Sequence, residues 1–267
     1  MFLRPTNPSQ RSNRCGMTLL ELLLASLIMA LFAAAISALA MAVQQNTQHD
    51  ERIGTVTQHA RVALQRIERT VNESTANEHF PGCVAFGEPI QGSNVPDTLV
   101  VWRGDVSVAD PNGMPRFNEL VIYCPDLEQP NRLLEITVPS DGSLAPMLSD
   151  TSGWRMRLYA IKVSQWANKT ELTDQLRTVP ISTMGERRGV VRFDVALRPS
   201  EKAWTDYRSG SVAWEDLKWV QGIHGKQTGL RQTWCRCELQ LSIGDDSSDK
   251  IEIPFIGSAS RYFVLER

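Results

Sequence analysis

Residues 14–43 read RCGMTLLELLLASLIMALFAAAISALAMAV, an apolar run that carries one acid, Glu21, near its start. From Leu22 to Val43 only Ser26 and Ser37 are polar, giving 22 residues where about 20 suffice to cross a bilayer. A carboxylate in hydrocarbon costs up to about 3 kcal/mol, so Glu21 calls for a reason. Ahead of the run, residues 1–16 hold Arg4, Arg11 and Arg14 and no acid. The positive-inside bias then keeps the N-terminus in the cytoplasm and sends residues 44–267 outward. A secretory signal peptide would have a shorter apolar stretch followed by a small-residue cleavage site. Here the run is longer and no clear A-x-A site follows it, although residues 33–42 are rich in alanine. A plain signal-anchor helix fits the length. Neither alternative accounts for Glu21.

The junction Gly16-Met17-Thr18-Leu19-Leu20-Glu21 lies between the basic leader and the apolar run. It resembles the processing site of type IV prepilins and type II secretion pseudopilins. In that family a membrane-bound prepilin peptidase cuts after the glycine and methylates the new N-terminus. The resemblance implies cleavage between Gly16 and Met17, N-methylation of Met17, and Glu21 as the fifth residue of the mature chain. The family usually begins with Phe, so Met17 is an apolar departure. The resemblance also gives Glu21 a role in assembly. As helices bundle, its carboxylate would meet the cationic N-terminal amine of a neighbouring subunit and set the axial register, because a buried charge left unpaired is strongly unfavourable. The competing reading is a Glu that snorkels to the headgroups.

Beyond Val43 the chain turns polar but keeps a helical period. Ile53, Val56, Ala60, Ala63, Leu64, Ile67 and Val71 recur at spacings of three and four and form one apolar stripe. Pro81-Gly82 ends the pattern. A helix from Thr18 to about Thr75 would be roughly 87 Å long at 1.5 Å per residue, with Gly54 as a soft point between its halves. The predicted organisation is therefore a cleaved leader at 1–16, a transmembrane or filament-core helix at 17–43, an amphipathic half at 44–80 and a β-rich head at 81–267.

In the head, short apolar alternations predict strands at 98–103, 119–124, 132–138, 154–163, 190–198, 233–243, 250–256 and 261–265. Turn signals separate several of them, such as Pro111-Asn112-Gly113, Ser140-Asp141-Gly142 and Gly244-Asp245-Asp246. An antiparallel sheet with one face on the amphipathic half is the economical arrangement, and the fold class is α+β, pilin-like. Two polar segments read as insertions, 168–188 with a short helix near 170–176, and 199–232. The latter holds Trp204, Tyr207, Trp214 and Trp219; such aromatics can mark a contact surface or cap a small core, and the second reading is preferred.

With 267 residues, a net charge of −2, 42% hydrophobic and 22% charged residues, the composition is that of an ordinary globular chain and argues against nucleic acid as an obligate partner. Cys15 goes with the leader, leaving Cys83, Cys124, Cys235 and Cys237 as candidate disulfide partners outside the cytoplasm. Cys235 and Cys237 share one face of a strand and are awkward to join to each other; Cys83 with Cys124 is a plausible bridge, and sequence does not fix the pairing. Asp245, Ser247 and Asp249 are a weak candidate calcium set, since Lys250 stands where such a loop needs Gly. His49, His59, His79 and His224 form no H-E-x-x-H, and HGKQTG at 224–229 lacks the spacing of a phosphate loop. No catalytic constellation, metal or cofactor is implied, so the chain reads as a structural subunit and not an enzyme.

The resemblance implies a single-pass protein of the bacterial inner membrane with a periplasmic head. Its partners would be other pilin-like subunits, the prepilin peptidase and secreted cargo. Chain length and the sheet-rich head resemble a minor pseudopilin, nearest the J type. The alternatives are a minor pilin for adhesion or DNA uptake, with basic residues near Arg187-Arg188 or Arg231 converging on one face, and a membrane-anchored ectodomain. Gly16→Ala should block cleavage. An immunoblot of membranes would then show a species heavier by the leader, whereas an unchanged mass would remove the prepilin reading.

Overall fold

The computed structural model describes residues 18–90, 93–105, 107–181, 185–224, 227–243 and 251–266. The chain divides after Arg52 into two compact units. The first is the beginning of helix α1 (Leu19–Asn72), the one helix among the described residues that is long and apolar enough to cross a membrane. Every Leu, Ile, Met, Phe and Val from Leu19 to Val43 is exposed, from 44% at Ile28 to 79% at Leu19. Burying each such side chain contributes roughly 1.5–3 kcal/mol. Left bare in water, the segment would forgo a stabilisation on the order of tens of kcal/mol.

The second unit begins with the rest of α1. Val56, Ala60, Ala63, Leu64, Ile67 and Val71 are its buried residues, the same stripe that the spacing predicts. Five strands, β1 (Cys83–Ile90), β2 (Ser93–Trp102), β3 (Leu120–Pro125), β4 (Leu133–Thr137) and β5 (Asn168–Thr173), pair antiparallel in chain order. Helix α2 (Thr151–Val163) lies between β4 and β5 in sequence. A short ribbon pairs β6 (Thr178–Pro180) with β7 (Arg187–Gly189). A second sheet contains β8 (Val191–Arg198), β9 (Leu230–Ile243) and β10 (Ile251–Val264) in the order β10-β9-β8. Helix α3 (Glu201–Arg208) lies in the connection between β8 and β9.

The period of two along the strands sorts the side chains into layers. Leu99, Val101, Val121, Tyr123 and Leu133 of the first sheet meet the α1 stripe. So do Phe193, Cys235, Cys237, Leu239 and Leu241 of the second, forming one core. From the other face of the first sheet, Val100, Trp102, Ile122, Cys124, Leu134 and Ile136 pack with Trp154, Leu158 and Ile161 of α2 in a second core. A third cluster gathers Trp204, Tyr207, Trp214, Leu217 and Val220, with the Tyr207 and Trp214 rings 5.1 Å apart in a T-shaped contact. The aromatics of 199–232 thus build a small core of their own, as preferred from sequence.

Strand β10 is an edge, and a bare edge invites pairing with other chains. Here α1 covers part of it: Ser258 N donates to Glu68 Oε1 at 3.1 Å and Ser260 N to Asn72 Oδ1 at 3.1 Å. Gly257 permits the approach, since a Cβ there would stand 2.5 Å from Glu68 Oε1 and 3.1 Å from Leu64 Cδ2.

Three sequence-based expectations are corrected. Residues 154–163 belong to α2, not to a strand. Asp150 Oδ1 accepts from Gly153 N at 2.9 Å and caps the helix, and Trp154, Leu158 and Ile161 bury at spacings of four and three. The apparent alternation fails because Met156, on the supposed apolar face, is 73% exposed. Residues 170–176 are not a helix. Thr170 and Glu171 pair with Glu135 and Leu134 of β4, where a polar edge strand resists aggregation. The two strands expected near the C-terminal end, at 250–256 and 261–265, belong to one continuous β10 (Ile251–Val264).

The first sheet and the ribbon are tied by a buried ion pair, Asp97 with Arg188, whose side chains are 3% and 12% exposed. Arg188 Nε donates to Asp97 Oδ2 at 2.8 Å, and Thr98 Oγ1 donates to Asp97 Oδ1 at 3.0 Å. Removing one partner of such a pair strands the other charge, at a cost of about 3–5 kcal/mol. Asp97→Ala should therefore lower the urea midpoint of the detergent-solubilised chain, read by tryptophan fluorescence. A midpoint equal to wild type would contradict this.

Candidate assembly site

Helix α1 starts with a reciprocal cap. Thr18 N donates to Glu21 Oε2 at 2.9 Å and Thr18 Oγ1 donates to the same oxygen at 3.1 Å. In return Glu21 N donates to Thr18 Oγ1 at 3.3 Å. This is a capping box, and its sequence signature, T-x-x-E before an apolar run, is the signal by which Thr18 is found. Thr18 is a site residue that reading Glu21 alone misses.

The cap does not by itself explain the charge. An N-cap contributes about 0.5–2 kcal/mol, less than the up to about 3 kcal/mol that an acid costs at depth. A capping box also accepts Gln in place of Glu, so a neutral residue would have served. Among the described residues only Oε2 of Glu21 is engaged, which leaves Oε1 available to a second donor.

The two serines of the apolar segment need no such partner. Ser26 Oγ donates to Leu23 O at 2.8 Å and Ser37 Oγ to Ala33 O at 2.8 Å, so each hydroxyl is satisfied within its own helix, as hydrocarbon requires. Glu21 is then the one charged side chain from Leu19 to Val43.

A second polar cluster fixes α1 to the first sheet. Arg66 grips Glu135 with two bonds, Nε to Oε2 at 2.8 Å and Nη2 to Oε1 at 2.9 Å. The Tyr123 hydroxyl lies 2.8 Å from Thr70 Oγ1 and 3.2 Å from Glu135 Oε2. Arg69 pairs with Glu73 at 3.0 Å and Arg103 with Asp105 at 2.7 Å around the same cavity of about 330 Å³. The guanidinium of Arg66 holds Glu135 below the usual carboxylate range, and that of Arg103 does the same to Asp105. Burial pushes the Tyr123 phenol up. Both acids therefore stay ionised and neutralised, and neither can hold a proton near neutrality for acid catalysis.

Other residues singled out in the sequence do not converge. His49 and His59 are on α1, His79 is in the loop after it and His224 is in a π-helical turn. Arg188 is taken by Asp97. Arg231 is 4% exposed, pairs with Glu201 at 2.5 Å and lies 4.9 Å from the Trp204 ring centre. Arg188 and Arg231 are thus held in ion pairs inside the head, while Arg187 is exposed and donates to Thr178 Oγ1 at 2.9 Å. Cys83, Cys124, Cys235 and Cys237 are all buried, and the structure does not bring the expected Cys83–Cys124 pair together. Cys83 lies in the α1 core and Cys124 in the α2 core, on opposite faces of one sheet. Gly16, Met17, Asp245, Ser247 and Asp249 lie outside the described residues.

Residues 11–37 match the family model described as the prokaryotic N-terminal methylation motif. The chain carries a prepilin-type N-terminus. The motif implies a type IV pilin-like or pseudopilin subunit, processed by prepilin peptidase and assembled with other pilin subunits. It points to a structural role and not to an enzyme. The single N-terminal apolar helix suggests single-pass membrane anchoring, as in pilin-like proteins. No curated protein and no solved structure matches the chain.

The Arg66 grip makes stability pH-dependent with a definite sign. Glu135 has its folded pKa lowered, so its contribution is complete above the unfolded value of about 4.3 and is lost as pH falls through the folded one. Urea midpoints measured against pH should fall on acidification below about pH 4.3 by more in wild type than in Glu135→Gln. Parallel curves would contradict the grip.

Proposed function

We propose that this chain is a minor pseudopilin-like subunit, nearest the J type, of a type II secretion or type IV pilus-like filament. The leader, residues 1–16, is removed by prepilin peptidase and Met17 becomes the methylated first residue. Arg4, Arg11 and Arg14 keep that end in the cytoplasm, so the protein spans the inner membrane once and its head, residues 81–267, faces the periplasm. Residues 17–43 serve as the span and later as filament core, while residues 44–80 carry the head.

The observation that carries this reading is the spare oxygen of Glu21 on a helix whose apolar side chains the chain leaves uncovered. Lipid covers those side chains in the free subunit, and the helices of neighbouring subunits cover them in the filament. The methylated amine of an adjacent subunit's first residue is a cation, and it approaches Oε1 while Thr18 continues to hold Oε2. In a medium of low dielectric a charge out of register is left unpaired, so the pair selects one axial offset between subunits. Secreted cargo or a partner head would meet the periplasmic surface.

Glu21→Gln separates capping from charge. It preserves the T-x-x-[E/Q] box, so the variant should be inserted and cleaved like wild type. It removes the carboxylate, so co-purification with other pilin-like subunits should fall at least about tenfold, the effect of losing about 1.4 kcal/mol. Normal co-purification of a normally processed Glu21→Gln protein would remove the register role and leave Glu21 as a cap.

A further inference from the structure

Of the four thiols, two come together. Cys83 opens β1 of the five-stranded sheet, and Cys235 sits on β9, the central strand of the three-stranded one. They are 0% and 2% exposed and belong to the core around α1. Two residues before each cysteine the chain segments already meet, since the Thr233 side-chain hydroxyl donates to the Pro81 backbone carbonyl. Thr233 is itself fully buried and shares its face of β9 with Cys235. Two residues on from that contact, Cys83 and Cys235 both lie in the α1 core, and the Cys235 side chain is the neighbour that, together with burial, raises the Cys83 thiol. Cys237 points the same way but pairs across the strands with Gly257, where α1 passes close by. Cys124 faces the α2 core. Cys83 with Cys235 is therefore the pair that the Thr233–Pro81 contact places at the meeting of the two sheets.

We propose that Cys83 and Cys235 form a disulfide that staples the two sheets together beneath α1. The proposal rests on the periplasmic placement of the head, because such bonds persist in oxidising compartments. The chemistry is thiol–disulfide exchange with a disulfide oxidant. One cysteine thiolate attacks a sulfur of the oxidant and releases a thiol. The other thiolate then attacks the mixed disulfide and releases the second thiol. Both protons end on the released thiols, two electrons pass to the oxidant and one S–S bond forms in the chain. The Cys235 sulfur and burial together push the Cys83 thiol well above its ordinary range. Thiolate is therefore scarce in the closed core, and oxidation occurs as the head folds. The bond spans residues 83–235, and long closed loops constrain the unfolded chain most in the chain-entropy account.

The test uses the full chain in two arms, both alkylated under denaturing conditions without reductant and mapped by peptide mass spectrometry. In the first, reduced and urea-unfolded protein is refolded in detergent with oxidised and reduced glutathione. A Cys83–Cys235 peptide about 2 Da lighter than its two thiol parts is expected, with Cys124 and Cys237 alkylated. Four alkylated cysteines, or a bond to Cys124 or Cys237, would overturn the pairing. In the second arm the protein is taken directly from bacterial membranes. The same bond is expected there. Its absence in cells, when refolding produces it, overturns the claim that the native chain is stapled and points at the periplasmic placement, while the geometry stands. Reductant should also lower the urea midpoint of the oxidised wild type and leave a Cys83→Ala, Cys235→Ala double variant unmoved. A wild-type midpoint insensitive to reductant would overturn the staple.

Discussion

An apolar helical segment that its own chain leaves bare must be covered by lipid or by other helices, and the remaining features of this protein are arranged around that demand. From Leu19 to Val43 the side chains are exposed and the two serines are bonded to their own helix. The segment offers its surroundings hydrocarbon and a single carboxylate. Hydrocarbon alone is tolerant of sliding, because apolar contact has no direction. A charge in the same medium is intolerant of it. One ionised group on a smooth apolar rod is thus the economical device for turning non-directional association into one register.

The second unit answers a different mechanical need, which is to hold the helix that bears this segment. Two sheets converge on the stripe from Val56 to Val71, and the edge strand β10 is closed off by Glu68 and Asn72 of the same helix. Arg66 reaches Glu135 on β4, so α1 is gripped by apolar packing on one side and by charge on another. An isolated surface pair contributes little. Glu135, however, is 11% exposed at its side chain and also receives Tyr123, which makes the grip a partly desolvated network.

Legibility in the sequence followed the strength of local periodicity. Helix α1 was readable to within about three residues at each end, Leu19–Asn72 against an expected Thr18 to Thr75, because more than twenty apolar positions and the stripe beyond them keep one period; the chain leaves the helix well before Pro81-Gly82. Strand β3 was readable as a short unbroken apolar run, buried at every position, and β8 from its alternation of apolar and polar residues. Residues 154–163 were not, because WRMRLYAIKV satisfies a period of two and a period near four at once. Asp150, outside the window, breaks the tie as a cap. Residues 170–176 read as a short helix because their polar side chains suit a solvated helical face. An edge strand wants the same side chains. The partner of Cys83 was unreadable in principle, since it depends on two sheets meeting 152 residues apart. At the N-terminus the chemistry of Glu21 was legible from composition, and the division of its two oxygens between Thr18 and a further donor required coordinates.

The most direct measurement is the intact mass of the N-terminal peptide of this protein isolated from native membranes. The account requires a chain that begins at Met17 with one methyl group on its amine, the cation that a neighbouring Glu21 needs. A chain that still begins at Met1 with an unmodified terminus would contradict it. In that case no methylated amine exists at the membrane face, Glu21 remains a helix cap and nothing sets the register.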